Sequence, residues 1–405
     1  MTRPLISADA HIGLPFAVID ELPAATRSQL PHIERRPEGN ELVSEVYHGG
    51  ARMEMTPTMA AAPGDQAIPL GELTEEQEAK VVLRNVTPNA APSLLPEGRL
   101  ADMARDGVAA TVLILGSASF LPHLDDDGEI AYCQAANDWL ADAYRHHLDR
   151  FAPGVSLPVH SVEASVRELE RAASLGLRPA VLPDAIPERP YFSSEWDPLW
   201  ELASDLGMPV ALHVTDARPN AWRQISTGIP RISSESWFGA SETGFVVSSA
   251  MMTETVAWFA LGVLPRFPKL QVVMTEGNAG WLAWLADFLD YATLEGYQDL
   301  LATRGTGTRL KGNLVERPSH YIKTQIKATF MWDPVAIRNR DLTGTDCLMW
   351  GNDYPHCEGS FGNSQAWVAE QFAGVPDEEI DAIVRGNTAK LYGFDPLIEP
   401  LVVPA

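Results

Sequence analysis

Two residues with metal-binding side chains lie close to the N-terminus, in the stretch LISADAHIGLP at positions 5–15. Asp9 and His11 are two positions apart, so in an extended strand both side chains project from one face and can offer an oxygen and a nitrogen to the same metal ion. The pair also fits a structural interpretation, in which Asp9 caps the following turn and His11 is an ordinary loop residue. The pair alone therefore predicts a metal site only if other ligands join it.

Three more polar residues follow short buried runs of apolar residues. His213 ends PVALH, Glu276 ends VVMTE and Asp353 ends MWGND. An ionised group has no favourable environment in a parallel strand that is buried on both faces, unless it is paired. If these strands end at one edge, a divalent cation is the simplest partner for three carboxylates and two imidazoles. The structural alternatives are a core histidine at 213, a helix N-terminal anion at 276 and a turn cap at 353.

Other reactive residues have weaker patterns. His356 comes three residues after Asp353 in a proline-containing loop, where it could bind the metal or fix the loop. Cys357 could be a nucleophile only if a base activated its thiol. His160 is expected at the rim after the third strand, and His320 at the start of the seventh. No GxSxG motif supports a serine hydrolase, and GTGTRLKG lacks the full phosphate-loop pattern.

The chain alternates short β-branched runs with longer helical patterns, which predicts parallel strands joined by crossover helices. Eight such units in 405 residues favour a closed (β/α)8 TIM barrel of the α/β class. An open, doubly wound sheet is the alternative, but no glycine-rich fingerprint follows the first strand. The predicted strands are residues 5–12, 108–116, 152–159, 178–184, 208–214, 270–276, 320–330 and 346–353.

Three long stretches interrupt this alternation. Residues 22–98 and 216–246 follow the first and fifth predicted strands, and residues 297–319 follow the sixth helix. The first two would emerge at the C-terminal face of a barrel, where they could cover a substrate. We therefore expect one barrel domain over residues 1–395, with insertions at 22–98 and 216–246, and a C-terminal tail at 396–405.

The composition excludes several classes of function. A formal net charge of −24 repels a phosphate backbone, so we expect no nucleic-acid partner. No apolar run reaches the roughly 18 residues of a membrane span, and the first residues lack the apolar region of a signal peptide. These features predict a cytoplasmic protein with no membrane partner. The three cysteines, Cys133, Cys347 and Cys357, fit neither a disulfide framework nor a zinc motif.

Several segments taken together resemble the amidohydrolase superfamily, in the amidohydrolase 2 branch that includes aminocarboxymuconate-semialdehyde decarboxylase and related aromatic-acid decarboxylases. The resemblance extends over nearly the whole chain, and only the combination of segments is specific. The segments are SADAHIGLP, DMARDGVAATVLI, ANDWLADAYRHHLDRFAPGVSLPV, MPVALHV, GVLPRFPKLQVVMTEGNAGWLAWLADFLD, LMWGNDYPHCEGSFGNS and NTAKLYGF.

The resemblance implies a (β/α)8 barrel with one divalent metal ion, most often zinc, with manganese or iron as alternatives. The metal would be held at the ends of strands one, five and eight, which carry Asp9, His11, His213 and Asp353. The family also implies a homo-oligomer, most simply a dimer. Two departures concern the site: an acid replaces the first histidine of the usual His-x-His, and Glu276 stands where many decarboxylases have a catalytic histidine. Strand four lacks the bridging lysine of binuclear relatives, which favours one metal.

The expected chemistry is hydrolysis of a small, aromatic or carboxylated substrate by a metal-activated water. Asp353 would be the general base, and Glu276 would move a proton or bind the metal as an additional ligand. Non-oxidative decarboxylation is the alternative, because the acid at position 9 is typical of that branch, whereas the missing histidine on strand six favours hydrolysis. A non-catalytic binding protein on a decayed barrel is a second alternative, against which the retention of four candidate ligands argues.

Overall fold

Eight parallel strands form the centre of the computed structural model, which describes residues 3–30, 32–38, 41–48, 51–52, 95–115, 124–184, 186, 189–214, 237–294, 298, 314–356 and 359–401. We number these barrel strands one to eight in chain order. Strands one and three are each interrupted once. The bounds are Leu5–Ser7 with His11–Ile12, Val108–Leu115, Phe151–Pro153 with Val155–Ser156, Ala180–Pro183, Val210–His213, Val272–Thr275, Ile326–Phe330 and Leu348–Trp350.

Hydrogen bonds between strands one and eight close the sheet. Each strand pairs in parallel with its neighbour along the chain from one to eight. The Ala8 amide then donates to Trp350 O at 3.0 Å, and the Asp353 amide donates to Asp9 O at 3.0 Å. A parallel bridge also joins Ala10 to Tyr354. The molecule is therefore the (β/α)8 barrel that the sequence predicts.

The pleat of the strands divides the buried residues into two layers. Val112, Val181, Ala211 and Val273 belong to a cluster inside the barrel. Their chain neighbours, such as Leu212, belong to the larger cluster between strands and helices. Because both faces are buried, these strands are almost continuously apolar in sequence, and a polar residue at a strand end is conspicuous.

Helices surround the barrel and follow most of its strands, as the alternating pattern predicts. None of the described helices is long and apolar enough to span a membrane. The α-helices are Phe16–Glu21, Ala24–Arg27, Pro96–Asp106, Asp126–Tyr144, Val162–Ser174, Asp197–Leu206, Trp237–Trp258, Trp281–Ala292, Pro318–Gln325, Pro334–Arg338, Arg340–Thr343, Ser364–Gln371, Asp377–Asp381 and Asn387–Tyr392; π-helical turns lie at Phe259–Val263 and Ala382–Gly386, and 3₁₀ turns at Ser194–Trp196 and Thr345–Cys347.

The predicted seventh strand, residues 320–330, is wrong in its first half. The structure has a helix over Pro318–Gln325 and a strand only over Ile326–Phe330. Proline at the first helical position favours the helix, and Tyr321 and Ile322 bury one face of it. His320 consequently lies on this helix and not at the start of a strand.

The two insertions contain more regular structure than the sequence indicates. An antiparallel sheet of three strands, His32–Glu38, Glu41–His48 and Ala51–Arg52, follows the first helices. Residues 53–94 of the first insertion lie outside the described residues. In the second insertion the helix begins at Trp237, so the last ten residues of the expected 216–246 loop are helical. The limits of the insertions and of the tail remain predictions.

We expect the aromatic core between strands and helices to determine stability. Trp200 is fully buried, stacks on Trp196 at 5.8 Å and donates to Tyr191 O at 3.4 Å. Trp200→Ala should lower the free energy of unfolding by about 3–5 kcal/mol. Trp284 is 59% exposed on another helix. Trp284→Ala should therefore change the free energy of unfolding by less than about 0.5 kcal/mol. Urea unfolding followed by circular dichroism measures both, and equal effects would contradict the packing described.

Candidate metal centre

Six polar side chains predicted from the sequence meet at the carboxyl ends of the barrel strands. Five are buried, and the sixth, His356, has 26% of its side chain exposed. Their ligand atoms lie within 4.8 Å of one another in two overlapping groups. The first group is Asp9, His11, His213 and Glu276, and the second is His11, Glu276, Asp353 and His356.

His11 is the centre of this cluster. Its Nε2 atom lies 2.9 Å from Asp353 Oδ1, 3.5 Å from Glu276 Oε2 and 3.6 Å from Asp9 Oδ1. The interruption at Ala8–Ala10 changes the pairing with strand two, so the five residues from Ser7 to His11 are opposite the four from Thr111 to Ile114. The first strand is therefore not the continuous strand that the sequence suggests, although Asp9 and His11 still reach the same site.

A backbone hydrogen bond orients the imidazole of His213. Its Nδ1 lies 2.7 Å from Val214 O, and a carbonyl only accepts, so Nδ1 carries the hydrogen. Nε2 lies 3.1 Å from Glu276 Oε2 and 3.3 Å from His11 Nε2. This is the arrangement by which proteins direct the second ring nitrogen of a ligating histidine at a metal.

Burial and close contact shift the pKa values of the cluster. Burial alone would lower the pKa of His11, but the Asp353 and Glu276 carboxylates raise it to about 10. Burial opposes the ionisation of Glu276, yet hydrogen bonds from His11 and His213 hold the pKa of this carboxyl far below its usual range. Burial raises the pKa of Asp9. The crowded carboxylates therefore favour bound positive charge in this site, either a proton on His11 or a cation.

The oxygen atoms in the cluster fit a metal ion. Asp9 Oδ1 and Asp353 Oδ2 are buried, and neither has a hydrogen-bond partner among the described residues. Within the same residues, only histidines form ion pairs with Asp9, Glu276 and Asp353. Three buried carboxylates whose basic partners in this part of the chain are imidazoles remain costly unless a further cation binds them. Mixed carboxylate and imidazole donors suit zinc, manganese or iron.

An unusual backbone conformation directs Glu276 into the site. Val273 faces the barrel interior, so strand alternation would place Glu276 on the outer face. Its φ of 65° turns the chain, and its amide donates to Thr329 Oγ1 at 2.7 Å. Asp333 Oδ2 then accepts from the next loop amides, Ala279 N and Gly280 N, at 2.8 Å each. Thr329 on strand seven and Asp333 after that strand thus fix the loop that follows strand six.

The helix of the second insertion packs on this loop. A Cβ atom at Gly277 would lie 2.2 Å from Met252 Sδ, so only glycine permits the contact. Ser249 Oγ donates to Gly277 O at 3.0 Å, and Thr255 Oγ1 donates to Asp184 O at 3.3 Å after strand four. Ser249, Met252 and Thr255, which follow the predicted insertion, therefore place this part of the helix at the carboxyl ends of strands four and six. The position of residues 216–246 over the site stays a prediction.

Asp353 has a left-handed backbone with a φ of 54°. Two residues earlier, a Cβ atom on Gly351 would lie 2.7 Å from Asp9 Cβ. The absence of a side chain at Gly351 therefore allows strand eight to approach Asp9. His356 Nδ1 lies 2.9 Å from Asp353 Oδ1, and its ring centroid is 4.0 Å from that of His11. The loop after strand eight thus contributes an imidazole as well as a carboxylate.

Other residues considered in the sequence lie elsewhere. His160 hydrogen-bonds Glu129 and is not in either ligand group, and Cys357 is outside the described residues. Thr329 and Asp333, which hold the Glu276 loop, are not predicted by the sequence patterns. Asp333 could have been found, since Asp before proline is a typical helix start and Asp333 Oδ1 caps the following helix at Ala336 N, 2.8 Å.

The chain belongs to the amidohydrolase family: the family's Amidohydrolase profile (Amidohydro_2) matches residues 84–394. The family indicates a metal-dependent enzyme, a hydrolase or a carboxy-lyase. Decarboxylase orsB of Emericella nidulans is 30% identical over 44% of this chain and 53% of its own length. This chain thus spans about half the length of that relative.

A relative aligned over a longer stretch is the 2-amino-3-carboxymuconate-6-semialdehyde decarboxylase of Dictyostelium discoideum. It is 22% identical over 74% of this chain and 77% of its own length. Among solved structures, a 5-carboxyvanillate decarboxylase of Novosphingobium aromaticivorans superposes with a TM-score of 0.64 at 17% identity, covering 96% of this chain and 97% of the other. That structure contains bound manganese and 3-methoxy-4-hydroxy-5-nitrobenzoic acid.

We predict that Asp333 stabilises the loop that carries Glu276. Asp333→Ala removes a helix cap and leaves two loop amides without their acceptor, so the free energy of unfolding should fall by about 2–4 kcal/mol. Hydrogen–deuterium exchange should accelerate in peptides that span residues 276–280. The control is Asp125→Ala, which removes another helix cap, the acceptor of Gly128 N, and should leave exchange at 276–280 unchanged. Unchanged exchange in the Asp333 variant would show that this carboxylate does not hold the loop.

Proposed function

We propose that this protein is a metal-dependent, non-oxidative decarboxylase of a small aromatic or related unsaturated carboxylic acid. The observation that carries the proposal is the combination of a buried cluster of carboxylates and imidazoles with sequence relatives that are decarboxylases. This favours carboxy-lyase chemistry over the hydrolysis expected from the sequence. The homodimer and the cytoplasmic location remain predictions.

One divalent metal ion would be held by Asp9, His11, His213 and Asp353, with Glu276 as a further ligand. The oxygens of Asp9 and Asp353 that have no hydrogen-bond partner among the described residues, and the oriented Nε2 of His213, support this set. When bound, a divalent cation would hold the substrate carboxylate and an adjacent oxygen, and would stabilise negative charge on the substrate. Zinc is the ion implied by the sequence, and the manganese-containing neighbour makes manganese an equal candidate.

Decarboxylation needs a proton for the carbon that loses CO₂, and we assign its delivery to His356. Burial would lower the pKa of His356, but the adjacent Asp353 raises it above its usual value. Nδ1 donates to Asp353 Oδ1, so Nε2 can donate to a substrate. Glu276 is a poorer donor, because two imidazoles keep its carboxylate ionised. Its role is to bind cations and to orient the imidazoles.

Hydrolysis is the second candidate, and one observation favours it. Asp353 Oδ2 has no hydrogen-bond partner in the described part of the chain, so it could accept a proton from a water molecule. The other oxygen, Oδ1, is already within 2.9 Å of both His11 and His356. Decarboxylation places a solvent hydrogen on a carbon of the product, whereas hydrolysis places a solvent oxygen in the product. This difference gives a direct test.

We expect turnover in D₂O to place one deuterium on the ring carbon that carried the carboxylate, with release of CO₂. A panel of hydroxybenzoic acids, including 2,6-dihydroxybenzoate and 5-carboxyvanillate, is incubated with the metal-loaded protein and analysed by mass spectrometry. Parallel reactions in H₂¹⁸O contain ester and amide analogues of the same acids. Incorporation of ¹⁸O into the product of these analogues, without CO₂ from the acids, would establish the hydrolase instead.

We predict about one divalent metal ion per chain in the purified protein. His213→Ala removes an oriented ligand and should abolish most of the bound metal, as measured by inductively coupled plasma mass spectrometry. The matched control is His320→Ala, because His320 lies on the Pro318–Gln325 helix before strand seven and should retain the full content. Equal metal content in the two variants would exclude His213 as a ligand.

Substitutions of His356 and Glu276 should have different consequences. His356→Asn removes the proposed donor and should lower the decarboxylation rate about 10²–10⁴-fold with metal still bound. Glu276→Gln removes a charge from the cluster, so it should lower metal content and recover activity as metal is added. Loss of metal in the His356 variant would make this residue a ligand, and a metal-loaded but inactive Glu276 variant would make Glu276 the proton donor.

A further inference from the structure

The segment DMARDG contributes a buried carboxylate that lies outside the metal cluster. Asp106 ends the Pro96–Asp106 helix and is 4% exposed. Its Oδ1 accepts from Gly362 N at 2.8 Å and Ser364 N at 3.3 Å, and its Oδ2 accepts from Ser364 Oγ at 2.6 Å and Asn352 Nδ2 at 3.2 Å. All four donors belong to the chain around and after Asp353.

A short hydrogen-bond path leads from Asp106 to two proposed ligands. Asn352 is the residue before Asp353, and its Oδ1 lies 2.9 Å from Ser7 Oγ. The same hydroxyl accepts from Asn352 N at 3.0 Å and lies 2.7 Å from Asp9 O. Asp353 N also donates to Asp9 O at 3.0 Å. Asp9 and Asp353 are therefore held together where strands one and eight meet.

We propose that Asp106 is a positioning residue for the metal centre, which sets the relative placement of the Asp9 and Asp353 carboxylates through Asn352 and Ser7. The inference rests on the ligand set proposed above. Asp106 does not touch the site, and its effect is transmitted through Asn352 and Ser7, which are buried as Asp106 is. Because all four groups that hydrogen-bond Asp106 are donors, this position requires a side chain that only accepts hydrogen bonds.

Asn at this position tests that requirement. In Asp106→Asn an NH₂ group replaces one carboxylate oxygen. When the remaining oxygen accepts from Gly362 N and Ser364 N, the new NH₂ group faces the NH₂ group of Asn352. This opposition should displace Asn352. We expect affinity for Mn²⁺ and Zn²⁺, measured by competition with a chromogenic chelator, to fall about 10–100-fold.

A reciprocal exchange distinguishes positioning from general stability. In Asp106→Asn/Asn352→Asp the amide of 106 donates to the carboxylate of 352, which still accepts from Ser7 Oγ and Tyr354 N. The number of charges is unchanged. We expect the double variant to recover most of the metal affinity that the single variant loses. Recovery of the urea midpoint without recovery of metal affinity would overturn the inference.

Glu168→Gln is the matched control for loss of a buried carboxylate. Glu168 accepts from Asn137 Nδ2 and Arg171 on the helix after strand three, so its substitution should lower the urea midpoint and leave metal affinity unchanged. If Asp106→Asn does not fold, Ser7→Ala tests the same path with a smaller change and should also weaken metal binding. Wild-type metal affinity in Asp106→Asn would overturn the inference but not the proposed metal site. If Asp106→Asn does not fold, wild-type affinity in Ser7→Ala has the same meaning. A wild-type protein that binds no metal would overturn both the inference and the proposed site.

Discussion

The structure depends on the close approach of three buried carboxylates to the imidazole of His11 at one end of the barrel, where two of them also lie beside His213. Like charges repel strongly in a site that excludes water, and each carboxylate loses its hydration when it is buried. Protons can compensate in part, which is why the pKa of His11 rises to about 10. A divalent cation would compensate more completely, because it would bind several of these oxygens and nitrogens at once. The surrounding protein must hold the ligands close together in both states.

The barrel supplies this restraint at some cost in backbone strain. Among the described residues, Glu276, Asn278 and Asp353 are the non-glycine residues with positive φ, and all follow strands six and eight. Such conformations cost on the order of 1 kcal/mol or more each, and they concentrate at functional sites. The amide hydrogen bonds of Glu276 to Thr329 and of Asp353 to Asp9 offset part of that cost. The loops that follow strands six and eight therefore carry both the strained backbone conformations and the side chains that form the site.

The sequence predicted the barrel and its convergent polar residues because buried parallel strands are nearly all apolar, and a carboxylate or imidazole at a strand end stands out against them. It could not predict how Glu276 enters the site, since strand alternation places this residue on the outer face and only a left-handed backbone reverses that. The helix at Pro318–Gln325 was missed because a short alternating pattern also fits one buried helical face. The close approach of the His356 ring to the His11 ring depends on a loop whose path no periodicity specifies.

The exchange of histidine for glutamate on strand six has a physical consequence for the proposed reaction. A carboxylate at position 276 adds negative charge to the cluster and accepts from two imidazoles, which suits cation binding and opposes proton donation. The loop after strand eight supplies the missing type of group, because His356 lies beside Asp353 and is partly exposed. In a barrel whose strand ends all face one centre, an imidazole from a different strand can approach the same substrate. In the proposed reaction the proton then reaches the substrate from the side of strand eight instead of strand six, and the barrel fold is the same in both cases.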